Sequence, residues 1–333
     1  MALDSNSTNM SLFEGWKAAT TAYVTAFEGL YVNKQPGAWE LYASKVANTG
    51  SQVLSKNFAS NFPQMREMKG TRVEKFVRTH RMDARLKTFE STLKIDRKII
   101  QYAGNDMGMT GGLISSYLAQ QMQAYDQECY REFYAVSGVG NTCFDGLPLF
   151  STAHVFGTGG ATWSNYSSGT NLNWTTFEAG RKAMRQYLME NGEPAGMKAT
   201  ALIVGPALET TAREICKANE RVRYTGTTGA EVTVGVMNAT AITNVWAGEI
   251  DVIVDSRLVG TPAYYWTLVD LSKPGVRPIE LYEGMAPTPQ IMDSMTDNET
   301  YSRDKFTYGV LGDYVSYPGH PLSCYRGTGT AVG

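Results

Sequence analysis

A cysteine, an aspartate and a histidine lie close together near the middle of the sequence. Cys143, Asp145 and His154 are the residue types of a nucleophilic triad, in which an imidazole activates a thiol and a carboxylate orients the imidazole. Members of such triads usually come from separate parts of a fold. We therefore interpret Asp145-Gly146 as a tight turn that leads into a packed apolar segment at 147–150, and we keep a Cys143/His154 hydrolase only as an alternative.

The other residue types that could bind a metal are scattered. The three histidines, His80, His154 and His320, are 74 and 166 residues apart, and no two stand at i, i+4. A group of acids near the C-terminal end lacks the glycine and the ligand spacing of a calcium loop: Asp293, Asp297, Glu299 and Asp304. The chain contains no Walker loop, HExxH, GxSxG or GxGxxG motif. We expect a non-enzymatic protein with no catalytic residue, no cofactor and no metal.

Residues 66–98 carry an excess of positive charge. Eleven Lys and Arg stand against five acids, which gives +6 in this segment and leaves −8 for the remaining 300 residues. Apolar and polar side chains partly alternate at 71–77 and at 89–97, on either side of a polar stretch at 82–85, and this pattern indicates a long, exposed β-hairpin. Because an isolated hairpin is marginal in water, we expect it to lie on a neighbouring subunit.

The basic hairpin has three candidate roles, which the sequence leaves open. It could contact nucleic-acid phosphates, form ion pairs with acidic surfaces of sister subunits, or remain solvated. Its only aromatic residues are Phe76 and Phe89, which is a weak basis for stacking on bases. We favour ion pairs between subunits, and the predicted contact residues are Arg72, Lys75, Arg78, Arg81, Arg85 and Lys87.

Helical patterns are clearest in the first two thirds of the chain. An amphipathic pattern predicts an N-terminal helix at 11–30, and 35–64 is interpreted as an arm. Apolar residues at helical spacing over 111–138 predict a long helix that forms the spine of a domain. A further helix is predicted over 175–191, with a capping box that begins at Thr175.

The rest of the pattern is mostly short strands. The predicted strands lie at 201–204, 231–236, 250–254, 264–269, 277–282 and 306–317, with a proline-started helix after the first of them, through Ala218. Since helices and strands are segregated rather than alternating, the predicted fold class is α+β.

Composition limits the class of protein. A length of 333 residues allows roughly two domains at about 150 residues each. No apolar run is long enough to span a bilayer and the first ten residues have no signal-peptide pattern, so we expect a soluble, non-exported chain without a membrane partner. Four cysteines without CxxC spacing predict packed thiols. Charged residues make up only 19%, whereas 19 Tyr and 15 Met suggest surface buried against other chains.

Several segments, in their order along the chain, resemble the major head subunit of Mu-like phages and prophages, which has the Hong Kong 97-type capsid fold. They are FESTLKIDR at 89–97, FDGLPLFSTAH at 144–154, LIVGPALE at 202–209 with ARE at 212–214, IDVIVD at 250–255 and YWTLVD at 265–270. The resemblance covers about residues 60–330. The chain departs from the family pattern at Met65–Met68, where a tryptophan is frequent, and at Gly205, where a second proline is common.

The resemblance implies a division of the chain. It consists of an N-terminal helix and arm (1–64), an extended β-hairpin loop (65–100), a peripheral domain with the spine helix (101–199), an axial domain (200–275) and return strands of the peripheral domain (276–333).

The resemblance also implies a function. The expected protein is a major capsid protein that self-assembles through pentamers and hexamers into an icosahedral head, assembled in the host cytoplasm and located in the virion. Its expected partners are itself, scaffold, portal and decoration proteins, and double-stranded DNA enclosed without sequence specificity. A net charge of −2 agrees with DNA that must be released, because phosphate contacts drive non-specific binding. An encapsulin-like compartment of the same fold is the alternative.

Overall fold

The computed structural model describes residues 38–47, 50–59, 65, 67–70, 74, 79–96, 117, 121, 124–134, 141–156, 161–225, 238–273, 275–292 and 298–330. The predicted N-terminal helix at 11–30 and the predicted strand at 231–236 lie outside these residues. Among the described helices, none has the length and apolar character that crossing a membrane requires.

Strands dominate the described part of the chain. They are β1 (Ala43–Ala47), β2 (Val53–Ala59), β3 (Thr79–Arg85), β4 (Lys87–Asp96), β5 (His154–Val155), β6 (Thr162–Trp163), β7 (Tyr166–Ser168), β8 (Ala201–Val204), β9 (Glu220–Thr225), β10 (Asn238–Thr243), β11 (Asp251–Val254), β12 (Tyr265–Val269), β13 (Ile279–Met292), β14 (Lys305–Pro318) and β15 (Cys324–Thr328). The helices are α1 (Ala38–Tyr42), α2 (Ala124–Phe133), α3 (Trp174–Arg185), α4 (Glu209–Lys217) and α5 (Asn298–Arg303).

A five-stranded sheet in the order β11-β8-β12-β15-β7 lies at the centre of the fold. One face packs on α3 and α4, where Leu202 and Leu268 of the sheet meet Phe177 and Ile215 of the helices. The other face packs on α2 and the second sheet. All four residues of β8 are buried, as expected for a strand covered on both faces. This continuous apolar run explains why the sequence predicts the strand at 201–204.

The second sheet has four strands in the order β1-β13-β14-β4. Its two long strands, β13 and β14, form an antiparallel pair, and α2 lies across them. Helix α2 is the described part of the predicted spine helix at 111–138. Its Phe133 and Cys129 are fully buried between the two sheets. The apolar spacing that predicts the helix therefore marks the face that joins both sheets.

The basic segment forms a hairpin with different partners from those predicted. Strand β3 pairs with β2, so that Arg85 lies opposite Val53 and Thr79 lies opposite Ala59. Strand β4 follows directly after Leu86 and pairs with β14. The predicted polar connection at 82–85 is wrong, because these residues belong to β3, and the predicted strand at 71–77 lies outside the described residues apart from Glu74. We call β2, β3 and their connection at 60–78 the hairpin.

The burial pattern of β3 explains why residues 82–85 are wrongly predicted to be a polar connection. In β3 every second side chain is exposed, while those between them turn inward and end at the buried Ala84. Alternation of this kind is the mark of a half-buried strand. The small apolar surface of Ala84 gives it little weight in a hydrophobicity pattern, so 82–85 is mistaken for a polar turn.

Two further boundaries differ from the sequence analysis. Helix α3 begins one residue earlier, because Asn173 rather than Thr175 caps it and forms the capping box with Thr176. It ends at Arg185 because the chain then turns into a short bridge between Leu188 and Pro194. The expected return segment, 276–333, is divided between the sheets: β13 and β14 lie in the second sheet, whereas β15 pairs with β12 in the first.

Candidate functional site

The hairpin has one face turned toward the rest of the chain and one turned toward solvent. Side chains of a strand alternate between the two faces of a sheet, and the ladder of β2 and β3 fixes which residues share a face. The inner face carries Leu54, Lys56, His80, Met82 and Ala84. The outer face carries Val53, Ser55, Arg81, Asp83 and Arg85, all exposed. The hairpin therefore packs partly on its own subunit.

Apolar contact holds the base of the inner face. Ala84 is 3% exposed and lies in a cluster with Tyr282 and Val315 of the second sheet. Leu54 and Leu86 pack against the same cluster. Among the described residues, these apolar contacts lie at the base of the hairpin, and the contacts further out are those of Lys56 and His80.

Lys56 is the first polar contact of the inner face. Its ammonium group forms an ion pair with the carboxylate of Glu280 on β13. The side chain of Glu280 is almost completely buried. The hydroxyl of Tyr282 donates a second hydrogen bond to Glu280, at 2.5 Å. A buried carboxylate is tolerated when it is paired and hydrogen-bonded in this way. Burial, together with the charge of Glu280, raises the pKa of Tyr282 well above its usual value.

His80 is the second polar contact of the inner face. Its Nε2 lies 3.6 Å from Oε2 of Glu190, which follows α3, and its ring centroid lies 5.2 Å from that of Phe144. The hairpin therefore touches the part of the chain that covers the five-stranded sheet, as well as the second sheet.

The outer face carries a polar network within the hairpin. Arg81 donates from Nε to Asp83 at 2.8 Å and from Nη2 to Ser55 at 2.9 Å, and the hydroxyl of Ser55 donates to Asp83 at 2.6 Å. The hydrogen bonds from Arg81 and Ser55 lower the pKa of the Asp83 carboxyl. The charge of Arg81 is thus already compensated within its own chain.

Two of the predicted contact residues remain available for an external partner. Arg85 and Lys87 are exposed on either side of Leu86, and within the described residues neither forms an ion pair. The other three predicted contact residues, Arg72, Lys75 and Arg78, lie outside the described residues.

The sequence does not mark the residues that hold the inner face of the hairpin. Lys56 falls in 35–64, which is interpreted as an arm, and VLSKNFA at 53–59 has no regular alternation of apolar and polar residues that would predict a strand. No local pattern marks Glu280, because it lies 224 residues away from Lys56.

The residues of the suspected triad form a different arrangement. Nδ1 of His154 lies 2.6 Å from Oδ2 of Asp145, and Nε2 lies 3.2 Å from the carbonyl oxygen of Leu149. Both side chains of the pair are buried. Burial alone would raise the pKa of Asp145, but the hydrogen bond and charge of His154 lower it overall. The pair therefore closes the loop between the turn and β5.

Cys143 does not join this pair. Its thiol is buried, and burial raises the pKa of the thiol well above its usual value, which disfavours the thiolate. The described contacts include no hydrogen bond between Cys143 and His154. Its backbone N–H instead donates to the carbonyl oxygen of Leu147 at 2.7 Å across the turn, where Gly146 takes a φ of +77°. The predicted tight turn is confirmed.

The three histidines occupy separate places. His80 lies on the hairpin, and His154 pairs with Asp145. His320 is buried, accepts a hydrogen bond from the backbone N–H of Leu322 at 3.3 Å, and has a pKa that burial lowers to about 3. Among the described residues, no group of three metal-ligating side chains comes together.

Comparison with solved structures places this architecture among phage capsids. The chain is similar to the procapsid of bacteriophage JBD30 computed in I4 symmetry, with 18% identity, coverage of 95% of this chain and 75% of that chain, and a TM-score of 0.52. It is similar to the asymmetric unit of the bacteriophage PhiM1 mature capsid, with 9% identity, coverage of 90% and 89%, and a TM-score of 0.54. It is also similar to the capsid of bacteriophage JBD30 decorated with minor capsid protein trimers, with 16% identity, coverage of 67% of this chain and 91% of that chain, and a TM-score of 0.51.

These likenesses establish the fold and confirm the predicted α+β class of the Hong Kong 97 type. No curated protein matches the sequence significantly. A family model described as phage capsid protein matches residues 81–327, which is well over half of the 333 residues. The chain belongs to the phage capsid protein family.

Proposed function

We propose that this chain is the major shell subunit of a phage head, which self-assembles through pentamers and hexamers into an icosahedral shell around double-stranded DNA. The observation that carries the proposal is the two-faced hairpin. Its inner face is occupied by its own subunit, while Arg85 on its exposed face and Lys87 at the start of β4 form no ion pair with the described part of the chain. Membership of the phage capsid protein family supports the same role.

The contacts of such a shell start from the exposed face of the hairpin. In this proposal that face meets a different surface on the next copy, and such head-to-tail contacts close into rings. In the proposed ring, Arg85 and Lys87 pair with acids of the neighbour, together with Arg72, Lys75 and Arg78 of the connection. Arg81 contributes less, because Asp83 already neutralises it.

The proposal also covers the domains of the subunit, the type of phage and the partners of the chain. The axial domain at 200–275 contains β8, β11 and β12 of the five-stranded sheet, and the peripheral domain contains α2 with the return strands β13 and β14. The collinear segments favour a Mu-like phage. The role is structural rather than enzymatic, and the buried thiol of Cys143 agrees with that. The proposed partners are other copies of the chain, a scaffold, a portal and decoration proteins, with the assembled protein in the virion.

Sedimentation velocity and electron microscopy of the purified chain test this function. We expect rings or closed shells, and nuclease-protected double-stranded DNA in particles from the native source. A monomer of 36.6 kDa that persists after co-expression with the scaffold of the same phage would contradict the proposal. Native particles that hold a protein cargo and no DNA would favour the encapsulin-like compartment instead.

A further inference from the structure

Arg326 is a buried cation without a carboxylate partner. It lies on β15, opposite Thr267 of β12, and almost none of it reaches solvent. Within the described part of the chain, no aspartate or glutamate forms an ion pair with it. Since arginine is almost never fully buried unless it is paired, the charge of Arg326 needs another form of compensation.

Aromatic rings supply part of this compensation. The guanidinium carbon of Arg326 lies 3.7 Å from the ring centroid of Phe150 and 4.9 Å from that of Phe133. The rings of Tyr134 and Tyr265 follow at 4.7 and 5.8 Å. Ring faces attract a cation, but they are weak acceptors for its N–H groups. The rings therefore stabilise the charge and leave the hydrogen bonds of the guanidinium to other acceptors.

The guanidinium has one such acceptor among the described residues. Its Nε donates to the hydroxyl oxygen of Thr267 at 3.1 Å. Its Nη2 is buried and has no hydrogen-bond partner in the described part of the chain. Because a buried donor without a partner costs free energy, we expect an acceptor beside Nη2.

The hydroxyl of Tyr134 is in the same situation. It is buried and has no hydrogen-bond partner among the residues that the structure describes, and its ring is one of those that surround Arg326. Tyr187 is also buried but differs, because its hydroxyl donates to the carbonyl oxygen of Cys324 at 3.4 Å. Two buried donors, one charged and one neutral, thus come together without an acceptor.

We propose that Arg326 and Tyr134 bind a small monovalent anion the size of chloride. In this site Nη2 of Arg326 and the hydroxyl of Tyr134 both donate to the ion, and the ion neutralises the guanidinium. A water molecule accepts the same two hydrogen bonds but leaves the charge uncompensated. The site lies within one subunit, so it does not depend on the proposed assembly.

The surroundings favour an ion of one atom over an organic acid. Phe133 and Arg326 are buried, so the ligand is enclosed by protein. The side chains around it come from three places, which are the end of α2, the segment at 147–150 and the five-stranded sheet. A bound anion therefore joins these three parts of the subunit.

The chloride dependence of stability tests the site. The unfolding free energy of the purified chain is measured in sodium chloride and in sodium gluconate at equal ionic strength. A ligand that binds only the folded state raises the ratio of folded to unfolded chain about tenfold at ten times its dissociation constant. We expect chloride to give this saturating rise and gluconate to give none. Broadening of the chloride NMR signal by the folded chain measures bound chloride independently.

Three variants locate the ion. Tyr134→Phe keeps the ring, removes one donor and should weaken chloride binding by about tenfold. Arg326→Met removes the charge and should abolish chloride binding; if it does not fold, Tyr134→Phe decides alone. The matched control Tyr187→Phe removes a buried hydroxyl that already has a partner, and it should keep the chloride dependence of the parent.

Two results would overturn the proposal. If neither the stability nor the chloride NMR signal of the parent responds to binding, the acceptor beside Arg326 is water. If the parent and Tyr134→Phe bind chloride equally, the ion lies elsewhere. Both results leave the shell function intact, because that function is tested by assembly.

Discussion

The five-stranded sheet buries side chains on both faces, whereas the hairpin buries one face and leaves the other in solvent. In the sheet, Trp266 and Leu202 are completely buried. In the hairpin, Ala84 is the only buried residue among those whose burial the structure describes, and it is 3% exposed. The sheet therefore belongs to the interior of the subunit, whereas the hairpin keeps one face exposed, and the proposed function assigns that face to a neighbouring copy.

Two arginines show the same difference. Arg326 of β15 is 2% exposed, and its Nε donates a hydrogen bond to the hydroxyl of Thr267. Its guanidinium lies 3.7 Å from the ring centroid of Phe150 and 4.7 Å from that of Tyr134. Burial lowers its pKa to about 10, so it keeps its charge at neutral pH. Arg85 of the hairpin is exposed instead. One cation packs the interior and the other is available to a partner.

The largest expected effect comes from the core of the five-stranded sheet. Phe177→Ala removes a fully buried ring from α3 and should lower the free energy of unfolding by about 3 to 5 kcal/mol. Urea titration followed by circular dichroism measures it. The control Val245→Ala changes an exposed side chain and should have almost no effect. Equal effects would remove the distinction between core and surface.

A similar loss is expected when the buried pair near β5 is broken. Asp145→Ala leaves the buried His154 without its carboxylate and should cost about 3 to 5 kcal/mol of unfolding free energy. The matched variant Asp83→Ala removes an exposed partner of Arg81, and its unfolding curve should overlay that of the parent. A harmless Asp145→Ala would show that the pair is not structural.

The pH dependence of the unfolding free energy also distinguishes the interior of the subunit from the hairpin. Glu132 of α2 is buried, accepts two hydrogen bonds from Asn141 at 2.8 and 3.0 Å, and has a pKa that burial raises to about 7. Because the folded state holds this proton more tightly than the unfolded state, the stabilisation is complete below pH 4.5 and is lost as pH rises through 7.

Glu132→Gln should abolish this dependence, which amounts to about 3 kcal/mol. Unfolding free energies measured at intervals from pH 4.5 to pH 8 test it. Asp83→Asn serves as the hairpin control: the pKa of Asp83 is lowered, so its contribution is lost only as pH falls, outside this window. A steep decline that persists in Glu132→Gln would assign the dependence to another group.

A smaller and local effect is expected at the inner face of the hairpin. Lys56→Met leaves the buried Glu280 with Tyr282 as its remaining hydrogen-bond donor and should cost about 1 to 3 kcal/mol. Hydrogen exchange should accelerate in β2 and β3 and stay unchanged in β8. The double variant Lys56→Met/Glu280→Leu should restore protection, because no buried charge is left. Uniform acceleration across both sheets would contradict a local role.

The sequence predicts elements well where a segment contains its own signal. Strand β8 is a run of apolar residues closed by Gly205-Pro206, and the turn at Asp145-Gly146 follows from turn chemistry. Helix α3 is predicted with its cap displaced, because Asn173 and Thr175 are both acceptable capping residues.

The sequence fails where a strand depends on a distant partner. Strand β3 requires the pairing with β2 and the contact of Ala84 with the second sheet, and neither leaves a strong local pattern. The same holds for β15, whose residues do not reveal which sheet it joins. The charge pattern of the sequence identifies Arg85 and Lys87 as candidate contact residues but does not distinguish them from Arg81. The difference arises from the register of β2 and β3, which places Asp83 and Ser55 beside Arg81.

The double variant Arg85→Glu/Lys87→Glu tests the central claim most directly, because unfolding and assembly are measured on the same protein. Both side chains are exposed, so the unfolding free energy should match that of the parent. Reversed charges that face acids of a neighbouring copy repel, and the yield of particles should fall by about tenfold or more. An unchanged unfolding curve with lost assembly is the predicted result. Particles in normal yield from this variant would contradict the claim that the exposed side of the hairpin joins subunits.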